Sequence, residues 1–117
     1  MRISESEMEL MKLIWKTEGE STAAGLMKEL HNDWQQTTVL NFLKRLVNKG
    51  ALSVRREGKT NYYTPLITEQ EYKKEQTKGF LSDIHSGSVR NFLTALYGGE
   101  KPSKEEIDEL RQWLDEQ

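Results

Sequence analysis

The residues best suited to chemistry lie between Trp34 and Pro65, where hydrogen-bonding side chains are followed by a cluster of cations. This stretch holds six of the chain's seventeen Lys and Arg residues and a single acid, Glu57. Amide, hydroxyl and guanidinium groups along one helix can bond the exposed edges of DNA bases, and long cations beside them can reach phosphates. The stretch therefore predicts DNA binding.

The polar groups must be carried by a helix, which the apolar spacing predicts from about Gln36 to Lys49 with Gly50 as its stop. Its inward face is predicted to hold Val39, Leu43, Leu46 and Val47. Its outward side carries the side chains expected to contact DNA, which are Thr37, Thr38, Leu40, Asn41, Lys44 and Arg45. The first turns of such a helix enter the major groove.

Individual roles follow from the donors and acceptors of these side chains. Asn41 could form two hydrogen bonds with adenine, and Arg45 could bond guanine or a phosphate. Backbone amides at the helix start, near Gln36 and Thr37, suit a phosphate oxygen. The alternative is an ordinary solvated face on which Thr37 or Thr38 caps the helix.

A hairpin is predicted next, with strands Ala51–Arg56 and Asn61–Leu66 joined by a turn at Glu57-Gly58-Lys59. Its cations, expected to reach phosphates, are Arg55, Arg56 and Lys59. Such residues also protect edge strands from aggregation, which is the alternative reading. Tyr62 and Tyr63 alternate faces, so one is expected to pack beneath the hairpin.

Two further helices precede this stretch. Ser4 and Glu7 form a capping box for a helix over about residues 5–17, and Ser21 or Thr22 caps a second that runs to about His31. Helix, helix, turn, helix and hairpin is the order of a winged helix-turn-helix, assigned to residues 1–67. The predicted fold class is mostly α with a small β-hairpin wing.

Residues 68–117 are predicted to form helices with apolar stripes that one chain covers only partly. A symmetric partner would cover the rest, so this part is assigned as a helical dimerisation region. The residues expected at the interface are Phe80, Leu81, Ile84, Val89, Phe92, Leu93, Leu96, Ile107, Leu110, Trp113 and Leu114.

Composition excludes several other classes. The net charge is −2, yet residues 34–67 carry six basic residues and one acid, which favours a nucleic-acid partner locally. The chain lacks cysteine, and His31 and His85 are isolated, so neither a metal site nor a cofactor is expected. No nucleophile motif accompanies Ser82 or Ser86, so no enzyme activity is expected. The chain has no apolar run of about 20 residues, so insertion into a membrane is not expected. A cytoplasmic location is expected.

Four segments in order resemble the penicillinase-repressor family of bacterial winged-helix regulators, which includes repressors of β-lactamase and methicillin-resistance genes. They are ISESEMELMKLIW, the stretch from Trp34 to Leu52, YYTPLIT, and SKEEIDELRQWL. The resemblance implies a homodimeric repressor on a dyad operator in double-stranded DNA. It matches Thr37, Thr38, Asn41 and Arg45 to residues that contact DNA. Leu40 stands where family members often have arginine, and a leucine can offer only apolar contact, for instance to a thymine methyl, so the resemblance does not predict the operator sequence.

The resemblance also implies a regulatory protease. In β-lactam-responsive members a membrane metalloprotease pathway cleaves an Asn-Phe bond, and Asn91-Phe92 looks like that site. The alternative is that Phe92 serves only as dimer core. An alternative function for the whole chain is a winged-helix interaction module that binds an acidic protein partner.

Overall fold

The computed structural model describes residues 1–85 and 88–116, with only the backbone of residues 84 and 85. Six helices and two strands follow in the order α1 Glu5–Lys16, α2 Ala23–Glu29, α3 Gln36–Lys49, β1 Leu52–Glu57, β2 Thr60–Pro65, α4 Glu69–His85, α5 Val89–Tyr97 and α6 Lys104–Asp115. The predicted mostly helical fold with one small hairpin is confirmed.

The described chain divides into two compact units, Met1–Gln76 and a second that begins at Thr77. The sequence placed a boundary after residue 67. The first unit also takes in the start of α4, because Tyr72 is buried in its core and its hydroxyl accepts a hydrogen bond from the Ile3 backbone at 3.1 Å.

Helix α1 begins at the predicted capping box. The Ser4 hydroxyl accepts a bond from the Glu7 amide at 3.2 Å, and the Glu7 carboxylate accepts one from the Ser4 amide at 2.9 Å. The buried residues Leu10, Met11 and Ile14 follow at helical spacing. These side chains form the side of α1 that is buried in the core of the first unit.

The core of the first unit is formed where α1, α2 and α3 pack together. Helix α3 contributes Val39, Leu43 and Leu46, each with no exposed surface. Burying one such side chain contributes about 1.5–3 kcal/mol. These three residues fix the rotation of α3 about its axis and so decide which of its residues face outward.

Strands β1 and β2 pair antiparallel from Leu52 opposite Pro65 to Glu57 opposite Thr60. The predicted three-residue turn is wrong, because Glu57 belongs to the ladder and the turn is Gly58-Lys59. Gly58 has a φ of 62°, which glycine adopts without strain and which suits a two-residue hairpin loop.

A third segment, which the sequence did not predict, extends the hairpin. Ser21 forms an isolated antiparallel bridge with Tyr63, through two backbone hydrogen bonds of 2.8 and 2.9 Å. Tyr63 is buried beneath the hairpin, while Tyr62 is half-buried. The hairpin is thereby joined to the segment that leads into α2.

The second unit consists of the end of α4 with α5 and α6. The Ser88 and Ser103 hydroxyls cap α5 and α6, and α5 ends at Gly98 in the left-handed conformation, with a φ of 56°. Phe80 of α4 meets Phe92 of α5 edge to face, with ring centroids 6.0 Å apart. None of the described side chains from residue 77 onward is buried.

One ion pair is built into the core of the first unit. The Glu7 carboxylate is almost fully buried and accepts a hydrogen bond from the Lys49 ammonium, which also donates to the Arg2 carbonyl at 2.9 Å. Burial opposes ionisation of Glu7, but the bonds from Lys49 and Ser4 outweigh it and lower the pKa of the carboxyl. The pair joins the start of α1 to the end of α3.

We predict that Glu7→Gln destabilises the chain by about 1–3 kcal/mol at pH 7, because Lys49 loses its partner beside the core and is only partly screened by solvent. Since the folded pKa of Glu7 lies below its ordinary value of 4.5, wild-type stabilisation is complete well above pH 4.5 and is lost as the pH falls through the folded pKa. Urea unfolding from pH 7 to pH 3 measures the difference.

Glu5→Gln is the matched control, because Glu5 lies in the same turn but is exposed. It should change stability by less than about 0.5 kcal/mol. A Glu7→Gln deficit that stays constant down to pH 3 would show that the charge of Glu7 does not stabilise the fold.

Candidate nucleic-acid interface

Helix α3 presents one continuous polar face to solvent. Its exposed members recur along successive turns and are called the recognition face below: Gln36, Thr37, Leu40, Asn41 and Lys44. The alternative that Thr37 or Thr38 caps the helix is wrong, because Gln35 is the N-cap, and its backbone carbonyl accepts a hydrogen bond from the Thr38 amide at 3.0 Å. Thr38 is half-buried.

The end of α3 determines where the hairpin, called the wing below, is attached. Gly50 adopts a φ of 84°, and its amide bonds the last carbonyls of the helix. The next residue, Ala51, is buried, donates to the Leu46 carbonyl at 2.9 Å and accepts the Leu66 amide at 2.9 Å. Both strands of the wing are thus tied to the final turn of α3.

Two of the three predicted wing cations lie beside the recognition face. Arg56 and Lys59 line a groove of about 380 Å³ that is called the wing groove. Gln36 and Leu40 supply its α3 side, while Thr60, Asn61 and the start of α2 complete it. The structure therefore brings a helix with hydrogen-bonding groups and a cationic wing to one concave surface.

Arg55 is placed differently from the other two cations. Its guanidinium donates to both oxygens of Glu20 at 2.8 and 3.0 Å and to Glu57 at 2.8 Å, and it lies 4.6 Å from the centre of the Tyr62 ring. The bonds from Arg55 lower the pKa of Glu20, and the two carboxylates raise that of Arg55. Because neighbouring strand residues point to opposite faces, Arg55 lies away from the wing groove.

Arg45 lies on the other flank of α3. Its guanidinium is 5.7 Å from the centre of the Phe42 ring. The Phe42 ring packs against Trp34, with the two ring centroids 5.0 Å apart. Arg45 is separated from Leu40 by roughly 140° around the helix. The recognition face is therefore bordered by Arg45 on one side and by the wing groove on the other.

Sequence reasoning missed the partners that hold this surface. Nothing in the sequence pairs Glu20 with Arg55 across 35 positions. Nor does it reveal that the Ser21 hydroxyl is buried without a hydrogen bond from any residue that the structure describes. Asn61 could have been found, since strand pairing places it opposite Arg56.

The predicted interface residues of the second unit remain largely accessible. Val89, Leu96, Leu110 and Leu114 expose about half or more of their surface, as do Phe80 and Trp113. Leu81, Phe92, Leu93 and Ile107 are half-buried. The side chain of Ile84, also predicted at the interface, lies outside the described residues.

The predicted cleavage site lies at the start of α5. The Asn91 amide donates to the capping Ser88 hydroxyl at 3.1 Å, and its side chain is exposed. Phe92 is half-buried against Phe80. The bond between Asn91 and Phe92 is therefore helical, although it lies within the first turn.

Within residues 1–85 and 88–116, no helix is both long and apolar enough to cross a membrane. In the same residues, no three His, Cys, Asp or Glu side chains converge as metal ligands would.

Comparison with known proteins adds an independent result. A family model described as penicillinase repressor matches residues 3–116. The penicillinase repressor of Bacillus licheniformis is 36% identical over 117 residues, covering 98% of this chain and 91% of the relative. The methicillin resistance regulatory protein MecI of Staphylococcus aureus is 29% identical over 114 residues, covering 96% and 92%.

Two solved structures match the first part of the chain. The DNA-binding domain of the repressor BlaI superimposes with a TM-score of 0.55 at 40% identity, covering 61% of this chain and 88% of that one. The monomeric form of B. licheniformis BlaI, solved in complex with the blaP half-operator, gives a TM-score of 0.52 at 39% identity, covering 62% and 89%. The predicted winged-helix architecture is confirmed.

Proposed function

The chain belongs to the penicillinase repressor family, and from this we propose that it is a transcriptional repressor that occupies an operator in double-stranded DNA. The observation that carries the proposal is the concave surface on which the recognition face of α3 meets Arg56 and Lys59. The B. licheniformis relative bound to a half-operator supports it, because that protein aligns with the winged-helix part of this chain. Such a role needs no catalytic group, and it places the protein with the chromosome in the cytoplasm.

The parts of the surface take different roles in the proposed complex. The recognition face enters the major groove, where Asn41 bonds adenine and Thr37 and Lys44 reach base edges or phosphates. Arg45, on the flank of α3, bonds guanine or the backbone. These assignments follow from exposure, since all four side chains are exposed along one side of the helix.

The wing supplies phosphate contacts through Arg56 and Lys59. Arg56 keeps its guanidinium on the wing by donating to the Gly58 carbonyl at 3.1 Å, which leaves its other donors for a ligand. Arg55 contributes mainly by holding the wing to Glu20, because its charge is already balanced by two carboxylates.

A salt series distinguishes these roles. Each phosphate contact adds roughly one to the slope of log affinity against log salt concentration. Arg56→Ala and Lys59→Ala should each lower that slope by about one, and Arg55→Ala by clearly less, in fluorescence anisotropy with a specific duplex. Equal losses for all three variants would make Arg55 a direct phosphate contact, and unchanged slopes would remove the wing from the interface.

We also propose that the second unit joins two chains. Leu96, Leu110 and Leu114 lie on α5 and α6 with about half or more of their surface exposed, and none of the unit's described side chains is buried. Specific interfaces bury about 1,200–2,000 Å² in total, and apolar helix faces of this kind supply such area. In a twofold dimer, each first unit would then read one half of a dyad operator.

Leu110→Glu tests the dimer, since a charge at an apolar interface loses its hydration without a partner. Sedimentation should give two chains for the wild type and one for this variant, with weaker operator binding. Leu66→Glu is the matched control, because Leu66 is 60% exposed in the first unit, and it should leave the dimer intact. A dimeric Leu110→Glu variant would place the interface elsewhere.

Release from DNA is proposed to follow cleavage between Asn91 and Phe92. The bond lies in the first turn of α5, where helices open most readily, and cutting it would separate most of α5 and all of α6 from the rest of the chain. Phe92 can serve both as dimer core and as part of the cleavage site. If it packs in the dimer core, cleavage before it detaches that packing from the DNA-binding part and weakens the dimer.

Mass spectrometry of the protein recovered from its host before and after β-lactam exposure tests this step. The expected fragments are residues 1–91 and 92–117, and Asn91→Ala should reduce their formation. An intact chain after induction, or fragments with other ends, would rule out this bond as the regulated one.

A further inference from the structure

Leu40 is an apolar residue on the otherwise polar recognition face. It exposes 38% of its surface, whereas the other leucines of α3, Leu43 and Leu46, expose none. Gln36 and Lys44, one turn to either side, are both exposed. The core of the first unit therefore does not require a leucine at this position.

The surroundings of Leu40 show which part of the DNA it would meet. It lines the wing groove with Gln36 on α3 and with Arg56 and Lys59 across from them. When those cations hold a phosphate and α3 lies in the major groove, Leu40 faces the base edges on the wing side of the helix.

Among the four bases, thymine alone presents a methyl group in the major groove. The other groups on the base edges are hydrogen-bond donors and acceptors. A leucine packed against them would exclude water without supplying a hydrogen bond in its place. We infer that Leu40 selects thymine at one position of each half-operator by packing against its 5-methyl group. This rests on the proposed function and narrows it from operator DNA in general to half-sites with thymine at that position.

The expected effect is modest and measurable. Removing one methyl group from contact with water stabilises the complex by about the free energy of burying one methylene. That free energy corresponds to roughly a fourfold change in affinity. A replacement base that adds polar groups under Leu40 should weaken binding further, by about tenfold or more.

The test uses the full chain and duplexes that it enriches from a random pool. Each thymine of an enriched duplex is replaced singly by deoxyuridine, which lacks only the methyl group, and affinity is measured by fluorescence anisotropy. One position in each half-site should show a three- to tenfold loss. With Leu40→Ala the wild-type duplex should bind more weakly, and the loss at that position should disappear while other positions keep theirs.

Leu66→Ala is the control, because it removes an exposed leucine that lies outside the wing groove. Leu66→Ala should show the same loss of affinity as the wild type at each deoxyuridine position. Thermal unfolding should show that Leu40→Ala and Leu66→Ala both fold. Tight binding with no methyl-sensitive position, or with the same sensitivity in Leu40→Ala, would overturn the inference and leave the repressor function standing. Failure to enrich any duplex would overturn both.

Discussion

The proposed interface depends on the burial of one side of α3. Val39, Leu43 and Leu46 are fully enclosed against α1 and α2, and this fixes the helix rotation that turns Asn41 and Lys44 outward. The Glu7–Lys49 pair secures the same helix at its end, and Gly50 then directs the chain into the wing. A shift in this packing would move the recognition face and the wing groove together.

Some cations of the basic stretch stabilise the fold, and others are available to bind a ligand. Lys49 pairs with Glu7 and Arg55 with two carboxylates, so two of the six cations counted in the sequence serve internal contacts. Lys44, Arg56 and Lys59 form no ion pair within the described residues. A count of basic residues indicated the surface, but their partners decide which of them can bind phosphate.

Patterns that act locally were predictable from the sequence. The apolar spacing of α3, the stop at Gly50 and the two strands of the hairpin each depend on neighbouring residues, and the predicted bounds of these elements agree with the structure to within a residue. The Glu20–Arg55 pair and the Ser21–Tyr63 bridge join distant positions, and no local pattern encodes them. Glu7 was predicted as a cap and proved also to be a buried ion-pair partner. Its pairing with Lys49 depends on how α1 and α3 pack.

The most direct test of the proposed repressor dimer is the mass of its complex with the DNA upstream of the protein's own gene, measured by sedimentation in the presence of scrambled competitor. A dimer whose first units each read one half-site should give two chains on each operator duplex, and it should bind a duplex with a single half-site more weakly. Complexes that scrambled DNA removes, or one chain on the complete operator, would contradict it.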